Sequence, residues 1–168
     1  MRRPLVPVLL ALVVVASAGA ARTPFRLTST AFANGATIPE RYTCHGDNLS
    51  PPLRWTAPPT ATRSLALELH DPDAPLPGGF THWLGWGIKA SARGLRVGQA
   101  APVEGANGAG EPAYTGPCPP SGVHRYVFTL YALRAPLTLR TGADRAAFQA
   151  ALRGKVIARA RLVGRFGA

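Results

Sequence analysis

The chain has 168 residues, 46% of them hydrophobic and 16% charged, a balance that excludes an intrinsically disordered protein. Gly 18 and Pro 17 make it turn-rich, but no Gly-X-Y period or internal repeat occurs, which excludes collagen and solenoids. The net charge of +11 favours phosphates, anionic headgroups or acidic partners over cationic ones, although an Arg-rich face is often simply solvated.

Residues 1–20 read as a secretory signal peptide. Arg2 and Arg3 form a basic start, Leu5 to Val15 an apolar run, and Ala16-Ser17-Ala18 and Ala18-Gly19-Ala20 two alternative A-x-A exits. The apolar run is far shorter than the about 20 residues a spanning helix needs, so no transmembrane segment is expected. Residues 21–168 are then one exported domain, periplasmic or secreted, large enough to bury roughly 70% of its unfolded surface. The two cysteines, Cys44 and Cys118, suit an oxidising compartment and are expected to pair. Their spacing, with that of the histidines, matches no zinc motif, and no metal or cofactor is expected.

After a weakly patterned opening from Phe25 to Ile38, Arg41 to Arg54 holds Cys44-His45-Gly46-Asp47-Asn48 and Ser50-Pro51-Pro52, an irregular loop. Arg63 to His70 alternates, with Leu65, Leu67 and Leu69 on one face, and reads as a strand that Pro72 and Pro75 terminate. Thr81 to Ile88 is a second strand in which strict alternation puts His82, Leu84, Trp86 and Ile88 on one face. Gly85 and Gly87 opposite them suggest close approach of another backbone. Gly94 to Tyr114 is a long connection, of the kind that carries function or local order of its own.

Val123 to Leu133 is the clearest strand: His124, Tyr126, Phe128 and Leu130 share a face, with Arg125, Val127, Thr129 and Tyr131 opposite. Ala143 to Arg153 is the one good helix, with a Phe148, Ala151, Leu152 stripe and Gly154 placed to end it. Val156 to Phe166 returns to alternation, with Ala158, Ala160 and Leu162 opposite Arg159 and Arg161. Strands joined by Pro/Gly loops, with one late helix, argue a single mainly β domain without the βαβ rhythm of a parallel sheet.

Polar residues gather at strand ends in three segments: His70-Asp71-Pro72-Asp73-Ala74-Pro75, Thr81-His82-Trp83, and Tyr114 to Tyr126. Asp71-Pro72-Asp73-Ala74-Pro75, His82-Trp83, Gly116-Pro117-Cys118-Pro119-Pro120 and His124-Arg125-Tyr126 follow one another in an order and spacing that resembles the phosphatidylethanolamine-binding protein family, in its bacterial Raf kinase inhibitor-like branch. Tyr42-Thr43-Cys44, Asn48 and Ser50 to Trp55 add to the likeness, which covers nearly all of Phe25 to Phe166. The resemblance implies a large antiparallel sheet packed with a smaller one, peripheral helices, and a small cavity at strand ends that takes phosphate or a phosphoethanolamine headgroup. Carried over by motif, its ligand-binding wall comprises Asp71, Asp73, Pro75, His82, Gly116, Cys118, Pro120, His124 and Tyr126. Gly87 departs from the Asn or Asp that many members carry, and the missing C-terminal helix of mammalian members implies a more open pocket.

The residue chemistry points the same way. His82, His124 and Tyr126 can donate to an anion, and a carboxylate beside an imidazole fixes the ring and favours its charged form. The expected function is a non-catalytic anion- or headgroup-binding protein, with modulation or inhibition of a partner protein as a further implication of the resemblance. The alternative is a small hydrolase or metal-assisted enzyme using the same Asp/His pocket. For the alternative, no G-x-S-x-G elbow is present. Cys118 with a histidine and an aspartate resembles a thiol triad on paper, and Asp71, Asp73, His82 and His124 are chemically suited to a metal. No nucleic-acid reading motif occurs. His45 and His70 read as ordinary loop and strand residues, and Trp55 and Phe128 as core.

Overall fold

The computed structural model describes residues 23–168; the signal peptide expected at 1–20 lies outside them. The chain is mainly β. A five-stranded antiparallel sheet has the order β6-β4-β3-β7-β8, and a three-stranded one the order β1-β2-β5. Their strands are β1 Leu27–Ser29, β2 Leu53–Trp55, β3 Ser64–Asp71, β4 Phe80–Lys89, β5 Gly94–Leu95, β6 Val103–Gly105, β7 Val123–Leu133 and β8 Val156–Gly167. Among the described residues one α-helix, α1, spans Arg145–Leu152, and a short 3-10 helix covers Glu40–Tyr42.

Period-two patterning explains the central strands. β3 is buried on both faces: Leu65, Leu67 and Leu69 enter the core between the sheets, and Ala66 enters a second core beneath α1. Tyr126, Phe128 and Leu130 on β7 and Leu162 on β8 join the first core, with Leu27, Leu53 and Trp55 from the small sheet. Phe148 and Leu152 bring α1 onto Trp86 and Leu133 in the second. Asp144 caps α1, its carboxylate accepting from the Ala147 amide at 2.8 Å.

The single face expected for His82, Leu84, Trp86 and Ile88 is not formed. Leu84 and Trp86 pack beneath α1, while Ile88 lies in the core between the sheets. Two β-bulges on β4 are the cause. Leu65 pairs with Ile88 and Leu67 with Gly85, so Trp86 and Gly87 together oppose one residue of β3. Gly87 supplies the left-handed φ of 74° that the bulge requires. Leu69 pairs with Trp83 and His70 with Thr81, which leaves His82 as the extra residue of the second bulge. The close approach expected at Gly85 comes from a side chain rather than a backbone, since a Cβ there would come within 2.5 Å of the Ala101 Cβ, and at Gly87 nothing comes nearer than 3.6 Å.

The long connection after Gly94 has local order. It contains β5 and β6, and then a turn around Asn107, whose Oδ1 accepts from Ala109 and Glu111 amides while its Nδ2 donates to the Ala113 carbonyl. That turn leads the chain back to β4 at His82.

Candidate functional site

A cavity of about 310 Å³ opens where the C-terminal end of β3 meets the N-terminal ends of β4 and β7. Of the nine residues expected to form its wall, Asp71, Pro75, His82, Gly116, Cys118, Pro120, His124 and Tyr126 line it. Antiparallel packing of β3 between β4 and β7 accounts for the convergence.

Asp73 does not line the cavity, because its carboxylate is engaged elsewhere. It receives the Arg125 backbone amide at 2.8 Å, Nε at 2.8 Å and Nη2 at 2.6 Å. This fork lowers the Asp73 pKa to about 2. Its effect is to tie the loop after β3 to β7, beside His124.

Asp71 is almost fully buried and anchors two elements. Oδ1 accepts from the amides of Asp73 at 2.8 Å and Ala74 at 3.1 Å, which closes the turn after β3. Oδ2 lies 2.7 Å from His124 Nδ1, which donates to it. His82 is fixed by a different partner. Its Nδ1 donates to the Thr115 carbonyl at 2.9 Å, and the Thr115 amide donates back to the His82 carbonyl at 2.9 Å. Both imidazoles therefore hold their Nδ1–H against protein and leave Nε2 for a ligand. Neutral, that nitrogen accepts; protonated, it donates. Burial lowers the His82 pKa from its ordinary 6.5.

The His82 ring stands edge-on between Phe80, at 4.8 Å, and Tyr126, at 5.1 Å. Tyr126 is 0% exposed, and its hydroxyl has no hydrogen-bond partner. The Cys118 backbone lies near that hydroxyl without reaching bonding geometry. Burial and the Asp71 charge push the Tyr126 pKa well above the phenol range, so it stays a donor.

The Tyr114–Pro120 loop forms the far wall. The Tyr114 hydroxyl donates to the Tyr42 carbonyl at 2.6 Å, the Gly116 amide to Asn48 Oδ1 at 2.7 Å, and the Cys44 amide to the Pro117 carbonyl at 3.1 Å. Asn48 adopts a left-handed φ of 55°, a conformation Asn tolerates, to present that oxygen. The expected Cys44–Cys118 disulfide crosses the same junction, with the Cα atoms 5.4 Å apart. Cys118 therefore has no free thiol for a triad. Nor do the four residues of the metal reading gather, since Asp73 faces Arg125. Cys44, His45 and Cys118 do cluster, but both sulfurs are in the bridge.

Sequence reasoning did not place Ala74, Leu76, Phe80 and Thr115 on the wall. Phe80 and Thr115 directly flank named motifs; Leu76, in the Pro-rich loop, gave no signal. A methyl group at Gly116 would meet the Thr43 Cα and the Tyr42 carbonyl oxygen at 2.7 Å, both backbone atoms that cannot swing away. Gly116→Ala is therefore expected to cost about 1–3 kcal/mol and to displace the far wall. Thermal denaturation should show a lower midpoint, and an unchanged one would mean the junction is loose.

Residues 28–167 match the family model described as phosphatidylethanolamine-binding protein. A UPF0098 protein of Methanothermobacter thermautotrophicus is 45% identical over 145 residues, spanning 82% of this chain and 95% of that one. A second UPF0098 protein, from Chlamydia pneumoniae, is 40% identical over 84% of this chain and 97% of its own. Among solved structures, a phosphatidylethanolamine-binding protein homologue from Chlamydia trachomatis superposes with TM-score 0.82 at 37% identity, over 86% of this chain and 97% of that one. E. coli YbcL, a member of the mammalian family, superposes with TM-score 0.81 at 28% identity, over 86% of this chain and 98% of that one.

Proposed function

The chain belongs to the phosphatidylethanolamine-binding protein family, and within it we propose that this protein is an exported, non-catalytic binder of a small oxyanion, phosphate or a phosphorylated headgroup, held in the cavity at the strand ends. The observation that carries the reading is the Tyr126 hydroxyl, a buried donor left without a partner on the cavity wall. A buried donor without an acceptor is costly unless a ligand supplies one. Two imidazoles with Nε2 uncommitted stand on the same wall, and the one carboxylate there, Asp71, has both oxygens engaged. The bridged Cys118 removes the thiol nucleophile of the triad reading. The disulfide also favours an oxidising compartment, in keeping with the leader pattern at 1–20. Among the described residues no helix is long and apolar enough to cross a membrane. Modulation of a partner protein is a further expectation of the resemblance.

The test is calorimetric titration with sulfate, phosphate and phosphoethanolamine. Tyr126→Phe removes no protein hydrogen bond, so the empty protein should keep its stability. Its anion affinity should fall by about 0.5–1.5 kcal/mol, roughly two- to tenfold. His82→Ala should lose about 1.5–3 kcal/mol of binding. Equal affinities in all three proteins would remove the cavity from consideration.

Because burial lowers the His82 pKa below 6.5, the imidazole is neutral at pH 7 and must take up a proton to donate from Nε2. Sulfate, which does not titrate in this range, should bind more tightly as pH falls from 8 to 5, by at most about tenfold per unit for each proton taken up. The empty protein has the opposite dependence. A histidine with a lowered folded pKa takes up its proton more readily when unfolded, so its contribution to stability is lost as pH falls through 6.5. His70, lowered chiefly by burial, acts in the same direction. Melting temperatures measured against pH with and without sulfate separate the two trends; sulfate affinity flat in pH would show that His82 does not take up a proton to donate.

A further inference from the structure

The last third of the chain holds a second concentration of positive charge that the cavity does not use. From Arg134 to Arg165 there are eight cations and one acid, Asp144. Asp144 is occupied as the cap of α1. On the face of the five-stranded sheet that Tyr126 turns away from, a recess of about 400 Å³ lies between α1 and strands β3, β7 and β8. Its floor holds one carboxylate, Glu68, 3% exposed. Glu68 is saturated: Oε2 accepts from the Tyr131 hydroxyl at 2.6 Å and from Gln149 Nε2 at 2.8 Å, and Oε1 from Arg145 Nε at 2.7 Å. The charge of Arg145 is thereby balanced and its position fixed, with the rest of its guanidinium still available.

Above this neutral floor stand two uncompensated guanidiniums. Glu68 pairs with Thr129 across β3 and β7, and Thr129 with Arg161 on β8; in the next row Tyr131 pairs with Arg159. Arg159 and Arg161 are alternate residues of one strand, so they leave the same face with Cα atoms about 6.7 Å apart. Arg159 sits over the Tyr131 ring, its guanidinium carbon 5.6 Å from the centroid, and is held there by stacking. Among the described residues neither Arg159 nor Arg161 forms an ion pair, while Arg41, Arg125 and Arg145 do.

We propose that this recess is a second anion site, separate from the cavity, in which Arg145, Arg159 and Arg161 grip a phosphate or sulfate group. The two excess charges match a dianion. The planar forks meet oxyanion oxygens in pairs, and the two excess charges favour a dianionic phosphate or sulfate over a monocarboxylate or a soft ligand. Two of the three forks are already held, one by Glu68 and one by Tyr131, which reduces the ordering entropy that binding must overcome. The group can belong to free phosphate or to the headgroup of an anionic lipid, and the chemistry at the arginines is the same.

Nuclear magnetic resonance titration of the isotope-labelled protein with inorganic phosphate distinguishes the two sites by position. The Gln149 side-chain amide and the backbone amides of Thr129, Tyr131 and Arg161 are expected to shift on a saturating curve of their own, apart from the curve of Thr115 and Gly116 at the cavity. In the double variant Arg159→Gln/Arg161→Gln the first curve should weaken at least tenfold and the second should not change. The variant Arg153→Gln/Arg165→Gln removes the same charge away from the recess and should leave both curves in place. Shifts confined to the cavity, an unchanged first curve in Arg159→Gln/Arg161→Gln, or equal weakening in both variants would overturn the site. Co-sedimentation with phosphatidic acid vesicles, against neutral phosphatidylcholine, assigns the source. Vesicle binding lost in Arg159→Gln/Arg161→Gln makes it a headgroup site, and saturation by phosphate without vesicle binding makes it a site for the free ion.

Discussion

Asp71→Asn is expected to weaken sulfate binding in the cavity and to lower stability by about 1.5–3 kcal/mol, the range for hydrogen bonds to a charged group. Asp71 holds three donors: the Asp73 and Ala74 amides on Oδ1 and His124 Nδ1 on Oδ2. An asparagine oxygen can keep the two backbone amides. Its NH₂ then faces His124 Nδ1, where a donor meets a donor. The imidazole must either turn or move its proton to Nε2 and become the acceptor. In the second case a neutral Nε2–H still points to a ligand, but the carboxylate that holds the ring in its orientation is gone. The substitution removes one negative charge near the anion, so repulsion alone would predict tighter binding. The opposite sign is expected because Asp71 acts on the ligand through His124. Urea denaturation gives the stability change and calorimetry with sulfate the affinity. Tighter binding in Asp71→Asn would show that the carboxylate merely repels the anion.

The residues that the sequence made legible are those whose position follows from strand period alone. The alternation of Leu65, Leu67 and Leu69, and of Tyr126, Phe128 and Leu130, places β3 and β7 and with them both ends of the cavity. The Phe148–Leu152 stripe places α1. What alternation could not reveal is a change of phase within a strand. Trp86 and Ile88 separate because Gly87 allows a bulge, and His82 reaches Tyr126 from a second bulge whose only local mark is the polar Thr81-His82 pair. The three-residue strands β1, β2 and β6 are too short for a period to show. Asp73 was placed on the wall because a motif marks neighbours in sequence. The deciding contact is with Arg125, 52 residues away, and the fork between them belongs to packing rather than to pattern. For the same reason the recess at Arg159 and Arg161 appeared in the sequence only as a basic C-terminal stretch. The saturation of Glu68 by three long-range donors makes it a candidate site.

Loss of the Cys44–Cys118 bridge is expected to lower stability by about 4 kcal/mol while leaving anion affinity within about threefold of the oxidised protein. The first figure follows from the loop the bridge closes: the sequence separation is 74, and in the chain-entropy account a loop of that size raises the free energy of the unfolded state by about 4 kcal/mol. For a domain of this length such a change moves the melting temperature by roughly 10 °C. The second figure follows from what remains at the junction. Without the bridge, the Tyr114 hydroxyl still donates to Tyr42, the Gly116 amide to Asn48, and the Cys44 amide to Pro117. These bonds, with the reciprocal pair between His82 and Thr115, hold the far wall against β4 in the folded state. The bridge should therefore act chiefly on the unfolded chain, and the two effects should separate. The comparison is Cys44→Ser/Cys118→Ser against the oxidised protein, by urea denaturation and by calorimetry with sulfate at a temperature where both are folded. A parallel collapse of affinity and stability would show that the sulfur atoms themselves shape the cavity wall.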